Sequence, residues 1–138
     1  METKANGMFV NLPVKDLNAS IDFFTKLGFT FNPQFTSEEA ACMVIAENMY
    51  AMLLVEKYFT SFTKRVIPNG EKSAEVILAL SLESREEVDT LVNKAFEAGA
   101  ERFNEPMDHG FMYGWSFQDL DHHLWEVFYM DESGMENE

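Results

Sequence analysis

The order of predicted elements repeats once along the chain, and this repeat constrains the fold more than any other feature. Each half reads strand–helix–strand–strand–strand. The two glycines that end the helices, Gly28 and Gly99, lie about half the chain length apart. An internal repeat of this kind predicts two copies of one supersecondary unit whose sheets pair or face each other. We therefore expect an α+β fold made of two similar modules.

The first half begins with an apolar strand at residues 8–12, which Pro13 is expected to close. Asp16 or Asn18 then caps a helix that ends at Gly28. The apolar positions of this helix recur at helical spacing: Leu17, Ile21, Phe24 and Leu27. Residues 29–31, 41–46 and 50–55 are predicted as strands, the last two joined by a short turn at residues 47–48.

The second half opens with an apolar strand at residues 76–82, after a polar stretch at residues 66–73 that is typical of a linker. Ser84 and Glu87 predict a capping box, in which each side chain accepts from the other residue's backbone N–H. The helix that follows has one apolar face: Val88, Leu91, Val92, Ala95 and Phe96. A short strand is predicted at residues 101–104, and a hairpin joins residues 111–118 to residues 123–129 across residues 119–121.

Composition narrows the function classes. The 138-residue chain is 46% hydrophobic, enough to form a core, and carries a net charge of −14, which repels a nucleic-acid backbone. Its start does not resemble a signal peptide, and no apolar run approaches the roughly 20 residues that span a bilayer. We expect a cytoplasmic protein with neither nucleic-acid nor membrane partners. The single cysteine, Cys42, lies in an apolar run and is expected to be a buried hydrophobe.

Two segments resemble a known family. FVNLPVKDL at residues 9–17, followed by LGF at residues 27–29, is similar to the opening of the vicinal oxygen chelate superfamily. FQDLDHHLWEV at residues 117–127 is similar to the hairpin that closes the domain. This superfamily includes the glyoxalases, bleomycin resistance proteins and extradiol dioxygenases.

The resemblance implies a single domain of two βαβββ modules that form a cupped, mixed and mostly antiparallel sheet around a pocket, within a homodimer. The modules correspond to residues 7–65 and 76–130, with a linker at 66–75. Residues 131–138 form an acidic tail with four carboxylates, Asp131, Glu132, Glu136 and Glu138.

Metal-dependent members of the superfamily take ligands from the first and last strands of each module. In this sequence the resemblance implies that these positions are Phe9, Leu53, Ile77 and Glu126. Only Glu126 carries a donor atom, and one carboxylate does not make a site for a first-row metal. A shift of one or two residues would introduce Asn11, Glu56 or Glu75 but no histidine. We therefore expect no cofactor, with a divalent metal as the disfavoured alternative.

The three histidines are not expected to build a different metal site. If Gln118 pairs with His123 in the closing hairpin, His109 stands tens of ångströms from His123 along the ribbon, because strands rise about 3.3 Å per residue. His122 occupies the place where the family has a turn glycine. Surface and turn positions are the expected locations of all three.

The same pairing places Glu126 opposite Trp115, with Leu124 and Phe128 on its face and Tyr113 and Phe117 across from them. A carboxylate among aromatic rings is suited to act as a general acid or base, or to anchor a cationic or hydroxyl-bearing ligand. A structural glutamate hydrogen-bonded to its neighbours is the alternative. Glu126 is thus the candidate catalytic residue, and the candidate ligand-binding residues are Phe9, Asn11, Leu53, Ile77, His109, Tyr113, Trp115 and Phe117. Residues 108–114 are interpreted either as a lip over the pocket or as an ordinary loop.

Three functions stay open at this point. The favoured one is a metal-independent binding protein of the drug-sequestering type, a dimer that holds an aromatic or cationic small molecule. The second is a glyoxalase- or dioxygenase-like enzyme with a non-standard metal site. The third is a metal-independent enzyme that uses Glu126 as acid or base, assisted by Tyr113 or His109.

Overall fold

A computed structural model describes residues 1–131, so the predicted tail acids beyond Asp131 lie outside the described residues. The chain forms two compact units that divide after Pro68. This division falls within the stretch predicted as a linker, and residues 66–76 contain neither helix nor strand.

The first unit contains one four-stranded sheet. Its elements are β1 (Met8–Val14), α1 (Leu17–Lys26), β2 (Thr30–Asn32), a 3-10 turn (Pro33–Phe35), β3 (Ala40–Ala46), β4 (Met49–Val55) and α2 (Glu56–Phe59). The strand order is β1-β4-β3-β2, with β1 parallel to β4 and the other pairs antiparallel.

The ends of α1 follow from two local signals in the sequence. The Asp16 side chain accepts a hydrogen bond from the backbone N–H of Ala19 at 3.1 Å, so Asp16 rather than Asn18 is the N-cap. Gly28 has a φ of 105°, a left-handed conformation that glycine adopts without steric cost. Phe23, absent from the predicted apolar set, is as fully buried as Phe24.

The predicted end of the first strand is wrong. β1 continues through Pro13 to Val14, which pairs with Val55 of β4. Proline cannot donate to a ladder of hydrogen bonds, but an edge strand tolerates it because one side of that strand has no neighbour in the sheet. β1 is such an edge in the described sheet.

The second unit repeats the first. Its elements are β5 (Ile77–Ser81), α3 (Arg85–Glu97), β6 (Met107–Asp108), β7 (Met112–Gln118) and β8 (Leu124–Met130). The strand order β5-β8-β7-β6, with β5 parallel to β8, matches the order in the first unit. The two-module α+β fold predicted from the repeat is therefore confirmed.

One short strand was predicted in the wrong place. Residues 101–104 form no strand, and only Glu101 pairs there, through an isolated bridge to Gln118. The edge strand is instead β6, where Met107 pairs with Gly114. The chain leaves the sheet edge between these two points, where Pro106 lacks the N–H that pairing requires.

The start of α3 keeps half of the predicted capping box. The Ser84 hydroxyl accepts from the Glu87 N–H at 3.1 Å, as expected. The Glu87 carboxylate, however, accepts from the N–H of Glu83 at 2.9 Å rather than from that of Ser84, so the reciprocal contact lies one residue earlier.

The apolar face of α3 packs on its own sheet. Val88, Val92 and Ala95 are fully buried, and α3 contacts β7 and β8. Burial of each valine contributes roughly 1.5–3 kcal/mol relative to exposure. At 13 residues α3 is the longest helix described, and no helix within residues 1–131 has the length and apolarity needed to cross a membrane.

Candidate functional site

The pairing of β7 with β8 decides which side chains can form a site with Glu126. In the structure Gln118 pairs with Leu124, Ser116 with Glu126, and Trp115 with Val127. The predicted pairing of Trp115 with Glu126 is therefore wrong by one residue. Because side chains alternate along a strand, a shift of one residue moves a whole set of partners to the opposite face of the sheet.

The conformation of the turn between β7 and β8 explains this one-residue shift in register. Asp119 accepts from the backbone N–H groups of Asp121 and His123 through Oδ1, at 2.9 and 3.0 Å, and from the Trp125 indole through Oδ2 at 2.9 Å. His122 adopts a φ of 65°, in the left-handed region. With this conformation, the loop between β7 and β8 is one residue longer than the predicted turn. Burial raises the pKa of Asp119, and the charge of His123 opposes that effect.

Two faces of the second unit's sheet follow from this register. We call the side that packs against α3 the α3 face. The opposite side, the Glu126 face, contains Ile77, Ala79, Ser81, Met112, Gly114, Ser116, Gln118, Leu124, Glu126, Phe128 and Met130. Leu124 and Phe128 share a face with Glu126, as the sequence predicted. The predicted aromatic partners of Glu126 do not.

Phe117 and Trp115 are core residues of the α3 face. Phe117 is 1% exposed and its ring is parallel to that of Trp125, with centroids 6.4 Å apart. Trp115 packs edge-on against Phe96 at 5.6 Å, and Arg102 lies over both rings. Both residues therefore lie on the face opposite Glu126, which corrects their predicted place beside it.

Tyr113 also lies on the α3 face, where it contacts two residues of α3. Its hydroxyl donates to the Asp89 carboxylate, and the Arg85 guanidinium stands 5.2 Å from its ring centroid. Burial and the hydrogen bond to Asp89 raise the pKa of Tyr113 to about 12. These contacts hold Tyr113 away from Glu126.

The segment interpreted as a lip or an ordinary loop is anchored to the start of α3. Arg85 donates to both Asp108 carboxylate oxygens at 2.8 and 3.0 Å, and to the Gly110 carbonyl at 2.8 Å. The Arg85 hydrogen bonds and the Gly110 N–H lower the pKa of Asp108 to about 2. His109 lies in this turn, where its N–H donates to the Met112 carbonyl. These contacts favour the ordinary-loop interpretation.

Two opposed polar side chains on the Glu126 face, those of Ser116 and Glu126, have no partner among residues 1–131. Ser116 is 3% exposed, and its hydroxyl oxygen has no hydrogen-bond partner in this range. Directly opposite, the half-buried carboxylate of Glu126 forms neither a hydrogen bond nor an ion pair with any residue in the described range 1–131. Ile77 is 54% exposed on the same face. The sequence analysis missed Ser116, because only the register shows that it faces Glu126.

In the first unit, Phe9 and Asn11 share one face of the sheet with Tyr50 and Met52, through the register of β1 with β4. Phe9 is 58% exposed and stacks on Tyr50, with centroids 4.6 Å apart. Leu53 lies on the opposite face and is completely buried. Its predicted place beside Phe9 is therefore wrong, and Met52 occupies the strand position that faces Asn11.

The residues at the family's metal positions do not fit a metal ion. Phe9, Leu53 and Ile77 have hydrocarbon side chains, and Glu126 has only a serine hydroxyl opposite it. Within the described residues no group of three or more His, Cys, Asp or Glu side chains could hold an ion. His122 is engaged elsewhere, with Nε2 3.2 Å from Glu71. One carboxylate does not make a site for a first-row metal, so this donor set is too poor to hold one.

Comparisons with known proteins agree with this architecture. Residues 7–46 match the family described as bleomycin resistance protein-like N-terminal. A hypothetical protein of S. aureus is 32% identical over 92% of this chain and 95% of its own, with a TM-score of 0.78. A glyoxalase/bleomycin resistance protein/dioxygenase family enzyme from Burkholderia phytofirmans PsJN is 17% identical over 88% of this chain and 96% of its own, with a TM-score of 0.73.

A fosfomycin resistance protein, FosX, from Listeria monocytogenes is 20% identical over 92% of this chain and 90% of its own, with a TM-score of 0.65. The comparison with curated proteins found no match. The matched segment, the repeated sheet topology and these neighbours define the class: the chain has the fold of the vicinal oxygen chelate superfamily of glyoxalases, bleomycin resistance proteins and dioxygenases.

Proposed function

We propose that this protein binds a small organic molecule on the Glu126 face, with the Glu126 carboxylate as the anchor and without a metal ion. One observation carries the proposal: a half-buried carboxylate, without a partner within residues 1–131, stands on the face that α3 leaves uncovered. A carboxylate that is partly removed from water interacts with a cation more strongly than a fully solvated one. An unpaired group of this kind is suited to a ligand.

The surroundings of Glu126 favour a cation with an apolar body. Leu124 and Phe128 flank Glu126 on its own strand, and Ile77 lies opposite Leu124 on β5. Apolar area buried against these side chains adds about 25 cal/mol per Å². The net charge of −14 raises the local concentration of cations around the protein. The ligand class that fits is therefore an aromatic or aliphatic cation.

The likeness to resistance proteins supports sequestration of a drug-like molecule. The matched family is described as bleomycin resistance protein-like, and the FosX structure was obtained with Mn(II) and a dihydroxypropylphosphonic acid. This chain lacks the donor atoms for such an ion at the family's positions, so direct contact with the ligand replaces contact through a metal.

Calorimetric titration of chelator-treated protein with a panel of arylalkyl ammonium compounds tests the proposal. We expect binding that chelation leaves unchanged and that Glu126→Gln weakens at least about tenfold, equivalent to about 1.4 kcal/mol. Glu97→Gln is the matched control, because it removes the same charge from an exposed site on α3 and should leave affinity unchanged.

Three results would overturn the proposal. The first is equal affinity in the two variants, which would leave Glu126 without a role. The second is loss of binding on chelation together with stoichiometric metal in the untreated protein. The third is conversion of a bound compound to product, seen by mass spectrometry and abolished by Glu126→Gln, which would make the protein an enzyme that uses Glu126 as acid or base.

A further inference from the structure

Packing alone does not explain a serine at position 116, because alanine would fill the same place. Its oxygen is buried and has no hydrogen-bond partner in the part of the chain that the structure describes, although Glu126 lies directly opposite. A buried polar group without a partner costs stability, and native structures retain few of them. An orphaned hydroxyl beside an unpaired carboxylate indicates that a third group belongs between them.

The residues nearest this pair on the same face include two small ones. Ala79 lies on the other side of Glu126, on β5, and Gly114 precedes Ser116 by two positions on the same face. A Cβ added to Gly114 would already stand 3.6 Å from the Phe128 Cβ, so a larger residue there would crowd Phe128. The larger apolar residues Leu124 and Phe128 flank Glu126 along its strand.

The Glu126 side chain is half-buried, and no hydrogen bond or ion pair to another residue of the described range holds it in place. Its side-chain torsions are therefore not fixed by a polar contact. Directly opposed residues on antiparallel strands have Cβ atoms about 4.5–5.5 Å apart, so one ligand nitrogen can reach both side chains.

We propose that Ser116 and Glu126 together select ligands whose cationic nitrogen carries at least two N–H groups, such as a primary ammonium or an amidinium. This inference rests on the proposed function, in which Glu126 is the anchor. One N–H donates to the carboxylate and a second donates to the Ser116 oxygen. A tertiary ammonium keeps the charge and one N–H for the Glu126 carboxylate but has no second N–H, so it leaves the Ser116 hydroxyl unpaired.

The test uses two probes that share an aromatic body, a positive charge and at least one N–H: 2-phenylethylammonium and dimethyl(2-phenylethyl)ammonium. Affinities are measured by NMR titration, which detects weak binding. We expect the wild type to prefer the primary ammonium about tenfold, the cost of one unpaired buried group. Ser116→Ala should weaken the primary ammonium alone and bring the ratio close to one.

Two further variants complete the design. Thr90→Ala is the matched control, because it removes an exposed hydroxyl from α3, on the other side of the sheet, and should leave the ratio as in the wild type. Ser116→Cys keeps the size of the side chain but offers only a weak acceptor, so it should also lower the ratio. Amide NMR spectra of each variant show that the fold is retained.

The outcomes separate the inference from the proposed function. A tenfold preference that persists in Ser116→Ala and Ser116→Cys overturns the inference, while a loss of both affinities in Glu126→Gln keeps the proposed function. Equal affinity of the two probes for the wild type overturns the inference in the same way. If neither probe binds the wild type, both the proposed function and the inference fail.

Discussion

Ser116 on β7 and Glu126 on β8 lie directly opposite each other on the same face of the sheet, and no hydrogen bond joins their side chains. The Ser116 hydroxyl is buried and has no partner within residues 1–131, whereas the half-buried Glu126 carboxylate is partly exposed to solvent. The cost of this arrangement in the absence of ligand is itself measurable.

Ser116→Ala should stabilise the ligand-free protein. It removes a buried hydroxyl that has no partner, and such a group costs about 1–3 kcal/mol. We expect the free energy of unfolding in urea to rise by about 1 kcal/mol. The exposed control Ser81→Ala should change it by less than about 0.5 kcal/mol. A loss of stability in Ser116→Ala would mean that the hydroxyl has a partner in solution.

Asp119→Ala should be among the most destabilising changes in the second unit. It leaves the N–H groups of Asp121 and His123 and the Trp125 indole N–H without their acceptor, around a carboxylate that is 4% exposed. We expect a loss of about 3–5 kcal/mol, because each unpaired buried group costs about 1–3 kcal/mol. Denaturant unfolding monitored by tryptophan fluorescence measures it.

Leu120→Ala is the comparison for Asp119→Ala. Leu120 lies in the same turn but is 38% exposed, and we expect it to cost less than about 1 kcal/mol. A loss of equal size in the two variants would assign the stability of the turn to side-chain packing rather than to the Asp119 hydrogen bonds.

The elements of the fold were predictable because their signals are local. Asp16, Gly28, Ser84 and Gly99 mark helix ends through contacts or conformations within a few residues. The order of elements then repeats, and the repeat predicts two equivalent modules. Neither the helix ends nor the repeat depends on which strands pair. Both predictions are therefore correct despite the errors at Pro13 and at residues 101–104.

The candidate site was harder to predict because it depends on strand register. The left-handed conformation of His122 adds one residue to the turn, and this single residue exchanges Trp115 for Ser116 opposite Glu126. The alternation of side chains along β4 likewise places Met52, not Leu53, on the face of Phe9. A turn conformation adopted by a residue other than glycine leaves little trace in the sequence.

Tyr113 should ionise at unusually high pH. Its pKa is raised from 10 to about 12 by burial and by the hydrogen bond to Asp89. Because the folded-state pKa lies above the unfolded value, the stability that this raised pKa reflects is fully present below pH 10 and is lost as pH rises through 12. Ultraviolet absorbance of the phenolate measures the titration.

Two variants isolate this effect. Asp89→Asn removes the neighbouring charge and should lower the pKa of Tyr113 toward 10, while Tyr113→Phe should remove the late titration step altogether. A late step that survives in Tyr113→Phe would belong to one of the other tyrosines and contradict the assignment.

Arg85→Met should raise the pKa of Asp108. The hydrogen bonds from Arg85 are the largest cause of its lowering from 3.8 to about 2, and the Gly110 N–H is the second. Because the folded-state pKa is depressed, the stability it reflects is present above pH 3.8 and is lost as pH falls through 2. Carboxyl carbon NMR shifts follow Asp108 through this range.

Arg85→Lys distinguishes geometry from charge in the same contact. Lysine keeps the positive charge but cannot form the two parallel hydrogen bonds that Arg85 makes to Asp108, so the pKa of Asp108 should lie between those of the wild type and Arg85→Met. In Arg85→Met it should stay somewhat below 3.8, because the Gly110 N–H still donates to Asp108. If the pKa stays near 2 in Arg85→Met, the backbone of this loop rather than its contact with α3 stabilises the Asp108 carboxylate.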